Sequence, residues 1–245
     1  MISRLAVVPV LAACLVAGPA HSAQPATGTR LAAPQARNLG SVKMTAKDQA
    51  VGAKRMAECL YNRKGSLARQ ALLASSKDSA DAASSKLMGD LQCFGAEFSN
   101  DLVEERHVNF PRDILRGMLA EAALERSQAQ VAALQPLPLQ QIYQRNWYAV
   151  TGRNVSVDEM GACVADTNPG GVYALGRTMP TTAEENAAFG ALMGDFGKCL
   201  RAGVKLQASR PALRAALSEA LYQRLNAPAP APAVAANAAG EAAKK

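Results

Sequence analysis

One eight-residue helical stretch occurs twice in this chain, and the landmarks around it restrict the fold more tightly than any other feature. Leu115 to Ala122 reads LRGMLAEA and Leu213 to Ala220 reads LRAALSEA, with five of eight positions identical. The tetrapeptide LMGD precedes each copy, at Leu87 to Asp90 and at Leu192 to Asp195. A cysteine follows each tetrapeptide, Cys93 or Cys199, and another precedes it, Cys59 or Cys163. The same landmarks in the same order point to an internal duplication. The expected fold is all-α, with two tandem modules of about four helices each. An aromatic content of 4% with a single Trp, in a chain rich in Ala and Leu, favours helices over strands.

The N-terminus has the pattern of an export signal, with Arg4 as the positive region, Leu5 to Ala17 as the apolar run and small residues up to Ala23. Cleavage is expected after Ala23. The apolar run is shorter than the roughly 20 residues that a membrane-spanning helix needs. Leu11-Ala12-Ala13-Cys14 also resembles a lipobox, and a lipid on Cys14 would anchor the protein to a membrane. The expected location is therefore periplasmic or secreted, with a lipid-anchored form through Cys14 as the alternative.

Export leaves four cysteines. An even number in an oxidising compartment indicates disulfides, and four cysteines allow three pairings. A module copied whole carries its own bridge, which selects Cys59 with Cys93 and Cys163 with Cys199. Closing loops of 34 and 36 residues stabilises each module by about 3 to 4 kcal/mol in the chain-entropy model. A zinc site is disfavoured by the lack of CxxC spacing.

Along the chain, residues 1–23 read as the signal, 24–43 as a flexible leader, 44–135 as module one, 136–225 as a connecting helix plus module two, and 226–245 as a disordered Ala/Pro tail. In module one, Thr45 and Asp48 open a helix ending near Asn62, Ser66 caps a second, and a third runs from Ala82 through Cys93. Pro136 and Pro138 mark the boundary. Leu139, Ile142, Tyr143 and Trp147 have the spacing of one helix face. Ser156 with Glu159, and Thr182 with Glu185, have capping-box spacing.

The mature chain would carry a formal charge of +6 after losing Arg4 from a total of +7. The scattered positives and the export signal argue against nucleic acid as a partner. His107 is the sole histidine of the mature chain, which leaves little room for histidine catalysis or His metal sites. Neither a GxSxG, a DxDxDG nor a phosphate-loop motif occurs. No catalytic residue, cofactor or metal ligand is expected.

The shared polar residues are the remaining candidates. Asp90 is expected to pair with Arg116, and Asp195 with Arg214, beside Gly89 and Gly194, whose missing side chains would admit a neighbouring helix. Glu121 and Glu219 are likewise shared. The function expected from this pattern is a non-enzymatic binding or interaction module of a bacterial envelope, with an unidentified protein or envelope component as partner. Two alternatives remain. One is an inhibitor or immunity-type protein presenting the Phe94 to Phe110 stretch; the other is a carboxylate-dependent enzyme joining Asp90, Arg116 and Glu121.

Overall fold

The computed structural model describes residues 45–93 and 111–226. The signal, the leader, the Phe94 to Phe110 stretch with His107, and the Ala/Pro tail lie outside the described residues. Those described are helical, without strands, and two disulfides join them.

Helix α1 (Ala46–Leu72) begins in a capping box: Thr45 Oγ1 accepts from the Asp48 amide at 3.1 Å, and Asp48 accepts from the Thr45 amide at 3.2 Å. Ala50, Ala53, Met56, Ala57 and Leu60 recur at helical spacing and are buried. The helix does not end at Asn62. It kinks at Lys64 (φ −133°, ψ 44°) and continues, so Ser66 lies within it and caps nothing. Helix α2 (Lys77–Met88) is capped by Ser76, whose hydroxyl accepts from the Ser79 amide, and so starts before the expected Ala82. It ends before Cys93, which stands on a separate 3-10 turn (Leu91–Cys93).

Helix α3 (Arg112–Arg126) carries the first copy of the repeated stretch, and every residue from Asp113 to Leu124 is buried. A short helix, α4 (Gln128–Ala132), follows. Instead of the expected connecting helix, the chain then runs without regular structure to Trp147, and only Tyr148–Thr151 forms a turn of helix, α5. Two prolines and specific side-chain bonds override the helical spacing. Leu137 donates its amide to the Asp166 carbonyl at 2.7 Å, and Tyr143 folds back so that its hydroxyl oxygen accepts from the Gln140 amide at 3.0 Å. Leu139 and Ile142 are left exposed, and Trp147 packs edge-on against Tyr148.

Helix α6 (Val155–Thr167) is capped by Asn154 rather than Ser156, because the Asn154 side chain accepts from the Ser156 amide at 2.9 Å. Asn168 ends α6 and caps α7 (Pro169–Gly176), with Pro169 in the first turn where it has no amide to lose. Helix α8 (Ala183–Cys199) has Thr182 as its cap, as expected from the Thr182/Glu185 spacing. Helix α9 (Arg210–Asn226) carries the second copy of the repeated stretch and is buried continuously from Arg214 to Tyr222.

A helix buried on all sides belongs at the centre of a fold. Here α3 and α9 are those helices, and they cross in contact with one another. A Cβ added to Gly117 of α3 would overlap the Cα of Ala215 on α9, so the small residues in the repeated stretch set how closely the two axes approach. Helix α1 covers α3, and α6 covers α9. One continuous apolar core includes Leu60, Leu87, Leu119, Leu175, Leu192 and Leu217, drawn from both halves of the chain. Complete burial of each such leucine stabilises by roughly 1.5 to 3 kcal/mol.

Candidate functional site

Both expected bridges are present, Cys59 to Cys93 and Cys163 to Cys199, each with its Cα atoms 5.6 Å apart. The first ties α1 to the 3-10 turn after α2. The second ties α6 to the last residue of α8.

The expected polar pairs are not formed. Asp90 accepts from Arg63 Nε at 3.1 Å, with Lys64 Nζ at 3.6 Å, and so fastens the end of α2 to the kink in α1. These cations hold its carboxyl below the ordinary aspartate range, with the Arg63 hydrogen bond as the largest cause. Asp195 accepts from Asn168 Nδ2 at 2.8 Å, at the break between α6 and α7. The two shared aspartates thus brace a discontinuity in the preceding helix, too far along the fold to serve the arginines. Nor do the neighbouring glycines admit a helix: nothing lies within 4 Å of a Cβ placed on Gly194, and only carbonyls of Ser85 and Lys86 within α2 approach Gly89.

The shared arginines reach across the α3/α9 crossing to the shared glutamates. Arg214 donates from Nε to Glu121 Oε1 at 2.7 Å and from Nη2 to Oε2 at 2.9 Å. Arg116 donates from Nε to Glu219 Oε1 at 2.9 Å, with a second bond from Nη2 to the same oxygen. All four side chains are at most 2% exposed. Each pair is the centre of a larger cluster.

In the first cluster, Lys54 of α1 donates to Glu121 at 3.3 Å, to Glu125 at 2.9 Å and to the Gly176 carbonyl at 3.0 Å. Arg214 also binds Glu185 at 2.8 Å and the Thr178 carbonyl at 2.7 Å. Burial alone would lower the affinity of Lys54 for its proton, but Glu121 and Glu125 outweigh it and hold the ammonium charged beyond its ordinary range.

In the second cluster, Arg153, in the turn between α5 and α6, donates to Asp158 Oδ1 at 2.7 Å, to Glu219 Oε2 at 2.6 Å and to the backbone carbonyl of Asp113 at 3.2 Å. Thr151 donates to Asp158 Oδ2 at 2.6 Å, and Arg116 reaches the Ala71 and Leu72 carbonyls at the end of α1. Burial works against ionisation of Glu219, yet Arg153 and Arg116 prevail and keep its carboxyl below the glutamate range. Burial pushes Asp113 up, and Asp113 Oδ2 has no hydrogen-bond partner.

Lys54, Arg153, Asp158 and Asp113 were not singled out by sequence, and Glu185 only as a capping residue; Lys54, Asp113 and Asp158 lie on helices with buried apolar neighbours, while Arg153 lies in a turn. Glu58 and Glu125, both paired with Lys54, reach the rim of the first cluster. Among the described residues, no group of three or more His, Cys, Asp or Glu stands where it could hold a metal ion. No helix among them is long and apolar enough to cross a membrane.

The surface offers one shaped feature at the second disulfide. A groove of about 250 Å³ is lined by Leu139, Tyr143, Cys163, Cys199, Arg201 and Val204. Arg201 pairs across its edge with Glu159 at 2.5 Å. Leu139 is 56% exposed, and Ile142 and Val155, chain neighbours of lining residues, are 60% and 55% exposed. Comparison with protein families, with curated proteins and with solved structures finds no match for this chain.

Proposed function

We propose that this chain is an exported, non-enzymatic interaction protein of a bacterial envelope, built by duplication of one disulfide-stapled helical module and binding a protein partner at the groove beside Cys163 and Cys199. The observation that carries the reading is the reciprocal pairing of the shared residues. Arg116 and Arg214 are 98 residues apart, as are Glu121 and Glu219, and each arginine bonds the glutamate of the other copy. Gly117 and Ala215, again 98 apart, meet at the crossing. Equivalent surfaces that contact each other with roles exchanged are the mark of a twofold, isologous interface. That relation supports two modules, 44–135 and 136–225, fused into one scaffold.

The same pairing assigns the most prominent ionisable residues to the scaffold, so recognition falls to the surface. Exposed aliphatic side chains gathered at a groove with a polar rim have the composition of a protein-binding patch. Two disulfides favour an oxidising compartment, in keeping with export as a periplasmic or secreted protein, or with anchoring through Cys14.

Site-specific photo-crosslinking in the native envelope tests the reading. A crosslinker at Ile142 should give a discrete adduct with a partner protein, and one at exposed Lys86 on α2 should not. Equal labelling at both positions, or none at Ile142, would defeat the assignment of the groove. A pocket joining Asp90, Arg116 and Glu121 would favour the carboxylate-enzyme alternative, and these three residues have separate partners.

A further inference from the structure

The second cluster holds more acids than cations. Asp113, Asp158 and Glu219 face Arg116 and Arg153, and all five side chains are buried. Glu219 has both guanidiniums, and Asp158 has Arg153 together with the Thr151 hydroxyl. Asp113 is left over. It is 3% exposed, its Oδ2 is unbonded, Arg153 donates to its backbone carbonyl instead of its carboxyl, and burial outweighs the pull of Arg153 and of the amides at the start of α3.

Three carboxylates against two guanidiniums would leave one net negative charge in a dry interior, and a group in that position takes up a proton instead. The proton belongs on the acid without a cationic partner. We infer that the folded protein holds Asp113 as the neutral acid, and that raising the pH ionises it and loosens the junction of α3, α9 and the Arg153 turn. The charged groups facing it define what happens then. From the α5–α6 turn comes Arg153; from α9, Glu219; and, through Arg153, Asp158 of α6. On its own helix, Arg116 is committed to Glu219 and the end of α1, and Arg112 pairs at the surface with Asp81 of α2.

An ionised Asp113 therefore repels Glu219 and competes for Arg153. That arginine is already in contact with the Asp113 backbone, and Gly152, with φ of 73°, places it in the cluster. Drawing Arg153 toward Asp113 weakens its bonds to Glu219 and Asp158 together. The junction is thus a proton-dependent lock, closed while Asp113 is neutral. Its folded-state affinity for the proton exceeds that of an unfolded aspartate, so its stabilisation is complete below the unfolded value and is lost as pH rises through the folded one.

The test uses the full oxidised protein and Asp113→Asn, which keeps the shape of the neutral acid. Unfolding constants from urea titrations are compared from pH 4 to 9. Above about pH 4, the wild-type constant should rise relative to that of Asp113→Asn, by up to about tenfold per pH unit until Asp113 ionises in the fold. A wild-type to variant ratio independent of pH would overturn the inference. So would disappearance of the pH dependence in Asp158→Asn but not in Asp113→Asn, because the proton would then sit on Asp158. Should Asp113→Asn fail to fold, carboxyl carbon NMR of aspartate-labelled wild type decides, with the Asp158 resonance identified by its loss in Asp158→Asn: a buried carboxyl other than Asp158 still protonated above about pH 5 is expected, and none, or Asp158 alone, is the overturning result.

Discussion

Arg214 meets Glu121 edge to edge, two parallel bonds of 2.7 and 2.9 Å in an interior from which water is excluded, and joins residues 93 positions apart in the chain. The geometry is bidentate, which aligns α9 on α3 as well as neutralising charge. Removing one partner strands the other. Arg214→Ala or Glu121→Ala should therefore destabilise by about 3 to 5 kcal/mol, whereas Arg214→Met with Glu121→Leu should recover part of the loss, with Lys54 and Glu185 each short of one partner. Urea unfolding of the two single variants and the double variant measures this; a double variant equal to the sum of the singles would contradict it.

Glycine positions separate in the same assay. Gly117→Ala forces a Cβ into the Cα of Ala215 and should cost about 1 to 3 kcal/mol, as overpacking of a close helix crossing does. Gly194→Ala meets open space inside a helix and should stabilise by about 0.5 to 1 kcal/mol. Opposite signs for the two substitutions are the expected result in thermal or urea unfolding.

The contrast between these glycines shows what could be read from sequence and what could not. The disulfides were readable from the order of the shared landmarks, which pairs each cysteine with the other one in its own half and needs no knowledge of contacts. The ion pairs were not, because local reasoning sought a partner for Arg116 within its own half and took the shared Asp90 of an earlier helix. In the fold Arg116 crosses to Glu219 on the other central helix, and nothing local distinguishes the two cases. The available signal was the breadth of burial: Ala, Gly and Leu encircle the helix at Asp113 to Leu124, so its charged members had to be neutralised by another central helix. The false helix over Leu139 to Trp147 failed for a different reason. Four residues at the right spacing cannot outweigh two prolines, the backbone bond from Leu137 to Asp166 and the bond from the Gln140 amide to the Tyr143 hydroxyl.

The first disulfide joins α1 to the turn after α2, and the second joins α6 to the end of α8. Replacing Cys163 and Cys199 together by Ala should cost about 2 to 5 kcal/mol, and the Cys59/Cys93 replacement a similar amount. Urea unfolding under non-reducing conditions provides the comparison. A change well under 1 kcal/mol for either pair would mean that the bridge adds nothing to the packing of its half.

Glu219 gives the acid side of the pH profile. Its carboxyl is held below the ordinary glutamate value by Arg153 and Arg116, against burial, so its stabilising contribution is present above about pH 4.3 and is lost as pH falls through the folded-state value. Asp113 has the reverse sign. The melting temperature should therefore fall on acidification below about pH 4, and Glu219→Gln should flatten that limb and, by removing one of the three carboxylates, weaken the limb assigned to Asp113 as well. An unchanged acid limb in Glu219→Gln would show that other carboxylates control it.

The two clusters should respond unequally to loss of their second cation. Lys54 shares Glu121 with Arg214, and Glu121 keeps both oxygens bonded to that arginine and Oε1 to the Ser218 hydroxyl when the lysine is removed. Lys54→Met should accordingly cost about 1 to 3 kcal/mol, within the range for a hydrogen bond to a charged group. Arg153 has no such reserve behind it. Its loss leaves Glu219 with Arg116 but strands Asp158, which is fully buried with only the Thr151 hydroxyl remaining. Arg153→Met should cost about 3 to 5 kcal/mol, the penalty of an uncompensated buried charge. The distinguishing variant is Arg153→Met with Asp158→Asn, which removes the stranded charge and should regain a large part of that loss, whereas Asp158→Asn added to Lys54→Met should only deepen the damage. Equal costs for the two cation losses, or no rescue by Asp158→Asn, would show that the clusters are interchangeable supports and that Arg153 acts through packing alone.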